Sequence, residues 1–175
     1  MDQTGLMPSA LLIIGGEVPD RDYMRCRLAE FQFIAAADSG LDVAAAWGLL
    51  PRLIVGDMDS ISDPTLLDRF SEAEKIIVPE AKDDTDTELG MRLLVERGYD
   101  RITIAGGGGG RLDHLLALRC LFERKPRPVE WITDTVRVIL VEKRMDLSVI
   151  PDTIISVFPL STGAGGMHSE GLRWP

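Results

Sequence analysis

The feature that most constrains the fold of this 175-residue chain is a repeated alternation of short apolar runs and helical patterns. Apolar runs bounded by Gly, Asp or Pro are typical of buried strands. Helical periodicity lies between them, most clearly over residues 85–97, where Thr85 and Glu88 have the spacing of a capping box. The predicted strands are residues 11–14, 31–37, 53–55, 75–78, 102–105 and 129–132.

Strands that alternate with helices imply βαβ crossovers. We therefore predict an α/β fold over residues 1–134: a parallel sheet flanked by helices, Rossmann-like in its arrangement. After Asp134 the pattern changes to short strands with turns and no helices between them. Residues 135–175 are therefore predicted to be the start of an antiparallel β-sandwich domain.

Charge and cysteine content exclude several classes of protein. The formal net charge is −9, which argues against nucleic acid as a partner because nucleic-acid binding needs an excess of Lys and Arg. Cys26 and Cys120 are the only cysteines and belong to no CxxC pair, so we expect neither a disulfide framework nor a zinc site, and a cytoplasmic location. The start of the chain, residues 1–8, has no Lys or Arg, and the apolar run that follows, residues 10–14, is short, so we expect neither a signal peptide nor a membrane span there.

Polar motifs follow four of the predicted strands. Ligands of open α/β sheets bind at the carboxyl ends of the strands, so these motifs are expected to share one site. The motifs occupy residues 38–40, 56–60, 83–86 and 106–113.

Asp57 and Asp59 are two residues apart, so in an extended segment their side chains point to the same side. Carboxylates that face one another repel unless a cation lies between them, and hard oxygen ligands together with phosphates suit Mg²⁺. A capped loop before the next helix is the simpler interpretation of this pair.

A second acidic group precedes and begins the helix that follows the fourth strand. The helix macrodipole favours acids in the first turn, which explains one or two of them. We predict that some of the others join Asp57 and Asp59 around a shared cation. The group consists of Asp83, Asp84, Asp86 and Glu88.

A run of five glycines, 106–110, connects the fifth strand to the next helix. Glycine lets a backbone approach phosphates, and a helix N-terminus favours anions, so the run is a candidate phosphate loop with Arg111 as a clamp. It matches neither the P-loop nor the dinucleotide-binding fingerprint, and a flexible loop is the alternative.

Taken in order, the motifs resemble those of the thiamine pyrophosphokinase family, and residues 170–174 resemble the motif of the family's β domain. The segments that carry the resemblance are Asp38-Ser39-Gly40, Gly56-Asp57-Met58-Asp59-Ser60, Asp83-Asp84-Thr85-Asp86 and Gly109-Gly110-Arg111-Leu112-Asp113-His114.

The resemblance implies an ATP-dependent enzyme that transfers a diphosphate group to the hydroxyl of thiamine and releases AMP. It implies Mg²⁺ bound by Asp57, Asp59 and Asp84, with Asp83 and Asp86 close by. Trp174 would stack on thiamine across the interface of a homodimer with a shared site. The nucleotide would be held by Asp38, Ser39, Gly107, Gly108, Gly109, Gly110, Arg111 and Asp113.

Members of the family normally continue with further strands beyond the point where this chain stops, so residues 135–175 are expected to be an incomplete β domain for thiamine binding and dimerisation. Two other functions stay open at this stage: a diphosphokinase for another alcohol, such as a hydroxymethyl pterin, and a non-catalytic nucleotide-binding module. The full set of carboxylates weighs against the module, because a pure binder gains little from like charges held together.

Overall fold

The structure is a computed structural model that describes residues 7–79, 84–160, 163 and 165–173. The chain divides into two compact units, Met1–Leu140 and Val141–Pro175. The first unit contains all the helices and strands of the described part of the chain.

Within the described residues, the first unit holds a seven-stranded sheet in the order β4-β3-β2-β1-β5-β6-β7. The first six strands are parallel, and β7 pairs antiparallel with β6. This mixed α/β sheet confirms the predicted fold class at that level. The strands are β1 Ser9–Ile13, β2 Phe33–Ala37, β3 Leu53–Gly56, β4 Glu74–Ile77, β5 Arg101–Ala105, β6 Glu130–Ile132 and β7 Arg137–Ile139.

Local signals in the sequence fix the ends of the helices. The Asp20 carboxylate accepts a hydrogen bond from the Tyr23 amide at 2.9 Å and caps the first helix. Thr85 and Glu88 form the predicted capping box, and Gly48 ends the second helix in the left-handed conformation. The helices are α1 Arg21–Arg27, α2 Gly40–Trp47, α3 Leu66–Arg69, α4 Asp86–Glu96 and α5 Leu112–Leu121, with a 3₁₀ turn at Leu28–Glu30. None of the helices described is long and apolar enough to span a membrane.

Helices cover both faces of the sheet because alternate residues of its central strands point to opposite sides. Leu11 and Ile13 of β1 pack with Met24 of α1 and Trp47 of α2. On the other face, Gly90 of α4 lies against the side chain of Leu12, where an added β-carbon would come within 3.1 Å. Both faces of β1 are therefore buried, and its residues from Ala10 to Ile13 are fully shielded from solvent.

The chain reverses its direction of growth across the sheet between β1 and β5. It adds β2, β3 and β4 on one side of β1, and then returns through α4 to add β5 and β6 on the other side. Loops on the two sides of such a switch point diverge, which leaves a crevice at the carboxyl ends of the strands. The polar motifs at residues 38–40, 56–60 and 106–113 follow β2, β3 and β5 at this edge.

The predicted β domain at residues 135–175 stays a prediction. Within that range, residues Arg137–Ile139 form β7 in the sheet of the first unit. Backbone hydrogen bonds between β6 and β7 form an antiparallel hairpin, and this pairing places the segment at the edge of the sheet. In the described residues of the second unit, the backbone forms no helix or strand, and several apolar side chains are largely exposed, including Ile150, Ile154 and Phe158.

A buried ion network fastens α1 to the edge of the sheet formed by β6 and β7. The Glu130 side chain is 6% exposed and accepts two hydrogen bonds from Arg27, at 2.8 and 3.1 Å, and another from Arg137. Thr103 of β5 donates a further hydrogen bond to it at 3.4 Å. Removing one member of such a buried ion network destabilises the fold, because the remaining member keeps a buried charge with fewer partners.

We predict that Glu130→Ala lowers the free energy of unfolding by about 3 kcal/mol, because Arg27 would keep, among the described residues, only the exposed Glu30 as a carboxylate partner and Arg137 would lose its own. Urea denaturation followed by circular dichroism measures the change. Glu72→Ala, which removes an exposed carboxylate, serves as the control and should cost less than about 0.5 kcal/mol. Equal stability of the two variants would show that the network contributes nothing.

Candidate functional site

Three carboxylates converge where β2, β3 and α4 meet. Asp38 follows β2, Asp57 follows β3, and Asp86 is the first residue of α4. The Asp38 side chain shares a hydrogen bond with Asp86 and accepts a second one from the Met58 amide at 3.4 Å. Sequence reasoning had placed Asp57 and Asp86 in the site, and the structure brings them both to Asp38.

Burial, together with the hydrogen bond and the negative charge of Asp86, raises the pKa of the Asp38 carboxyl to about 7. The charge of Asp57 raises it further, and the Met58 amide opposes the shift. The site therefore holds a half-buried carboxyl beside two other carboxylates.

The backbone around Asp38 is built for this close approach. Gly56 has a φ of +144°, and a β-carbon there would lie 1.9 Å from an oxygen of Asp38. Asp38 itself has a φ of 46° and Met58 a φ of 66°, which are unusual values for residues with side chains. The sequence shows a glycine at 56 but not that its missing side chain makes room for a carboxylate.

Asp57 and Asp59 form a local turn, in which the Asp57 carboxylate accepts a hydrogen bond from the Asp59 amide at 3.1 Å. Nearby, the Ser39 amide donates to the Ser60 hydroxyl at 3.3 Å, which joins the loop after β2 to the loop after β3. The simpler interpretation, a capped loop, therefore agrees with the local geometry. That interpretation does not account for the position of Asp57 near Asp38.

Asp84 forms an ion pair with Arg92, one of whose nitrogens lies 2.6 Å from its carboxylate. Both side chains are about half exposed, and Arg92 lies two turns along α4. Asp83 and Trp174 lie outside the described residues. Within the residues described, no three His, Cys, Asp or Glu side chains form a ready-made metal cage.

Three amides of the glycine run donate hydrogen bonds to β6 and to the loop after β1. The amides of Gly106, Gly107 and Gly108 donate to the carbonyls of Ile132, Gly15 and Glu17, at 2.9, 2.6 and 3.0 Å. These three amides therefore hold the loop in place, whereas Gly110 borders open space and Gly109 faces the Glu17 side chain. The glycines predicted that the backbone of this loop would come close to another group. In the structure, that group is the loop after β1.

Arg111 and Asp113 form an exposed two-point pair at the start of α5, at 3.2 and 2.6 Å. The Arg111 guanidinium lowers the pKa of the Asp113 carboxyl to about 2. The pair places a guanidinium at the helix N-terminus, where an anion is favoured.

A cleft of about 510 Å³ opens beside the glycine run, between α5 and the turn from β6 to β7. Leu115, Leu116 and Trp131 form apolar walls, and Glu17 and Asp134 supply carboxylates. The sequence analysis did not single out Glu17 or Asp134. Glu17 follows the glycine pair after β1, and Asp134 lies two residues after the end of β6.

Comparison with known proteins now gives the family. The model of the catalytic domain of thiamin pyrophosphokinase matches residues 25–128, which is more than half of the chain. The chain belongs to this family. The matched region contains the three converging carboxylates, the glycine run and the pair of Arg111 and Asp113.

Individual members of the thiamin pyrophosphokinase family agree. Thiamine pyrophosphokinase of Bacillus subtilis (strain 168) is 25% identical over 151 residues, which are 79% of this chain and 67% of the relative. A thiamin pyrophosphokinase family protein from Enterococcus faecalis has a TM-score of 0.59 at 28% identity, over 73% of this chain and 62% of that structure. A probable thiamine pyrophosphokinase from Staphylococcus saprophyticus subsp. saprophyticus has a TM-score of 0.55 at 30% identity, over 74% and 67%. The chain thus spans about two thirds or less of the length of these family members.

We predict that Asp38→Asn stabilises the protein at about pH 8 in the presence of a chelator. A carboxyl whose pKa is raised on folding is more readily protonated in the folded state, so it destabilises the fold as the pH rises from about 4 to about 7. Asn keeps the acceptor for the Met58 amide and tolerates a positive φ. The expected gain is about 1 kcal/mol at pH 8, after allowance for solvent screening, and close to zero at pH 4.

Thermal unfolding of both proteins across this pH range measures the difference. Asp68→Asn, an exposed residue of α3, is the matched control and should follow the wild-type curve. An Asp38→Asn curve that runs parallel to the wild type at all pH values would contradict the prediction.

Proposed function

We propose that this protein is a thiamine pyrophosphokinase, which transfers the diphosphate group of ATP to the hydroxyl of thiamine. The new bond joins the thiamine oxygen to the β-phosphorus of ATP. The bond between that phosphorus and the oxygen that bridges to the α-phosphate breaks, AMP leaves, and the hydroxyl proton passes to a base or to solvent.

The observation that carries the proposal is the crowding of Asp38, Asp57 and Asp86 at the carboxyl ends of adjacent strands, in a chain of this family. Carboxylates held close together favour a cation between them, and burial together with the neighbouring Asp86 raises the pKa of Asp38 to about 7. The family match weighs against the two alternatives, a diphosphokinase for another alcohol and a non-catalytic nucleotide-binding module.

Mg²⁺ fits this donor set because it prefers hard carboxylate oxygens combined with phosphate oxygens. We propose Asp57 as its central ligand, with Asp59 and Asp84 as the further ligands suggested by the resemblance and Asp86 as the closest alternative. Bound there, the ion would neutralise the charge of the transferring phosphates. For Asp84 to bind Mg²⁺, its carboxylate would have to leave its ion pair with Arg92 and contact the cation instead.

The chain's own residues would contribute positioning and charge. Asp38 and Ser39 border the phosphate end of the site, and Arg111 supplies a guanidinium at the start of α5. The part of the site that holds the nucleotide would be shaped by the glycine run and by the start of α5, through Gly107, Gly108, Gly109, Gly110 and Asp113. Phosphoryl-type transfer depends mainly on positioning and charge neutralisation, so no covalent nucleophile is required.

We further propose that thiamine binds with the help of Trp174 and of a second subunit in a homodimer. Exposed apolar side chains of the second unit, such as Ile150 and Phe158, would gain from being covered in such an assembly. The finer features that the resemblance implies, a Rossmann-like arrangement and a β-sandwich at the end of the chain, belong to the same proposal. So does a cytoplasmic location.

AMP release from Mg·ATP, with and without thiamine, tests the reaction. We expect AMP formation that requires thiamine and that Asp57→Asn reduces at least about 100-fold, because one charge at the phosphates is lost. Asp68→Asn makes the same chemical change on exposed α3 and should leave the rate within about twofold. Thiamine-independent hydrolysis, or full activity of Asp57→Asn, would refute the proposed role.

A further inference from the structure

The loop after β3, residues 57–62, carries two of the carboxylates proposed for the cation, and part of its backbone is strained. Met58 has a φ of 66°, a region that costs energy for a residue with a side chain. Such a conformation persists only where the surrounding structure holds it in place. The contacts that hold this loop therefore also determine where Asp57 and Asp59 lie.

A two-point contact ties the end of this loop to α2. One oxygen of the Asp42 carboxylate accepts a hydrogen bond from the Ser62 amide at 3.0 Å, and the other accepts from the Ser62 hydroxyl at 2.6 Å. Hydrogen bonds to an ionised acceptor are stronger than those between neutral groups. The neighbouring Ile61 is 7% exposed and belongs to a core cluster with Leu41 of α2 and Leu66 of α3. The end of the loop is thus held by polar and by apolar contacts.

The helix that carries Asp42 is itself fixed on the central strand. A β-carbon on Gly40, the first residue of α2, would lie 2.2 Å from the carbonyl oxygen of Ile13 in β1. Asp42 follows two residues later, so its contact relates the loop after β3 to the backbone of β1. Asp38, just before α2, accepts a hydrogen bond from the Met58 amide at 3.4 Å. Two carboxylates from one stretch of chain therefore hold the loop, one near its start and one at its end.

The helix macrodipole gives a simpler reason for an acidic residue at position 42. Asp42 is the third residue of α2, where an acid is favoured and often accepts a hydrogen bond from the amide of the N-cap residue. The N-cap residue here is Ser39, and its amide donates to the Ser60 hydroxyl at 3.3 Å. The dipole therefore accounts for the charge of Asp42, whereas the direction of its carboxylate is explained by Ser62.

We infer that Asp42 is a positioning residue of the carboxylate site, which acts through Ser62 to hold the loop that carries Asp57 and Asp59. Asp42 needs no contact with the cation or with the substrate for this role. Without it the loop can adopt other conformations, and its carboxylates lose their fixed spacing around a divalent cation. This inference rests on the proposed function, since it takes Asp57 as a ligand of the cation.

Titration of the protein with Mn²⁺, followed by electron paramagnetic resonance of the free ion, tests the inference. Mn²⁺ prefers the same oxygen ligands as Mg²⁺, and the measurement needs no turnover. We expect Asp42→Ala to weaken Mn²⁺ binding about tenfold, because the loop loses both hydrogen bonds to a charged group. Ser62→Ala, at an exposed position, removes one of the two hydrogen bonds and should weaken Mn²⁺ binding about threefold.

A double-mutant cycle separates positioning from a direct effect of the Asp42 charge on the cation. If Asp42 acts through Ser62, the variant that carries both substitutions should bind Mn²⁺ as weakly as Asp42→Ala alone. Asp42→Asn keeps one side-chain acceptor for Ser62 and should restore part of the affinity that Asp42→Ala loses. A purely electrostatic role predicts another pattern, in which Ser62→Ala equals the wild type and Asp42→Asn is as weak as Asp42→Ala. That pattern would overturn the inference.

Asp22→Ala is the matched control, because it removes an acidic residue from the first turn of α1, where the side chain is 86% exposed. It should bind Mn²⁺ as the wild type does, and equal affinity of Asp42→Ala and Asp22→Ala would overturn the inference. In that outcome thiamine-dependent AMP formation by the wild type can persist, so the inference can fail while the proposed reaction stands. Absence of that AMP formation would refute the reaction, whereas Mn²⁺ binding that depends on Asp42 and Ser62 would still support the positioning role.

Discussion

The carboxyl end of β1 is the constraint on which the rest of the structure depends. Two neighbouring segments approach it so closely that an added β-carbon on Gly40 or on Gly106 would lie 2.2 Å from the carbonyl oxygens of Ile13 and Ile14. Only glycine fits at such distances, so α2 and the loop after β5 are fixed directly on the backbone of the central strand. The two halves of the site, on either side of the switch point, therefore keep a constant separation.

The carboxylate site has the character of a functional site that reduces stability. Burial raises the pKa of Asp38, and the neighbouring carboxylates of Asp86 and Asp57 raise it further. Sites that await a charged ligand commonly carry such a cost, which the surrounding fold tolerates. Here the buried network of Glu130 and the well-packed central strand supply the stability of the first unit, at a distance from the carboxylates.

Periodicity was enough to predict the order of helices and strands, because each element buries a stripe or a face whose spacing is visible in the sequence. The placement of the acidic motifs after strands of one parallel sheet also led to the expectation that they share one site. It could not show that Asp84 pairs with Arg92, or that three glycine amides donate to nearby carbonyls. Those contacts depend on how the loops pack, and loops have no hydrophobic periodicity in the sequence from which their packing could be predicted. The sequence also did not show that residues Arg137–Ile139 pair with β6, because the partner of a short strand is decided by the packing around it.

The most direct test of the carboxylate site is a crystal structure of the protein with Mn²⁺ and a non-hydrolysable ATP analogue, examined for anomalous scattering. Mn²⁺ prefers the same carboxylate and phosphate oxygens as Mg²⁺ and can be located without ambiguity. The account predicts an anomalous peak in direct contact with Asp57, between the loops after β2 and β3, with phosphate oxygens completing its coordination. A peak held instead by Glu17 and Asp134, or an analogue bound with no metal near Asp57, would contradict it.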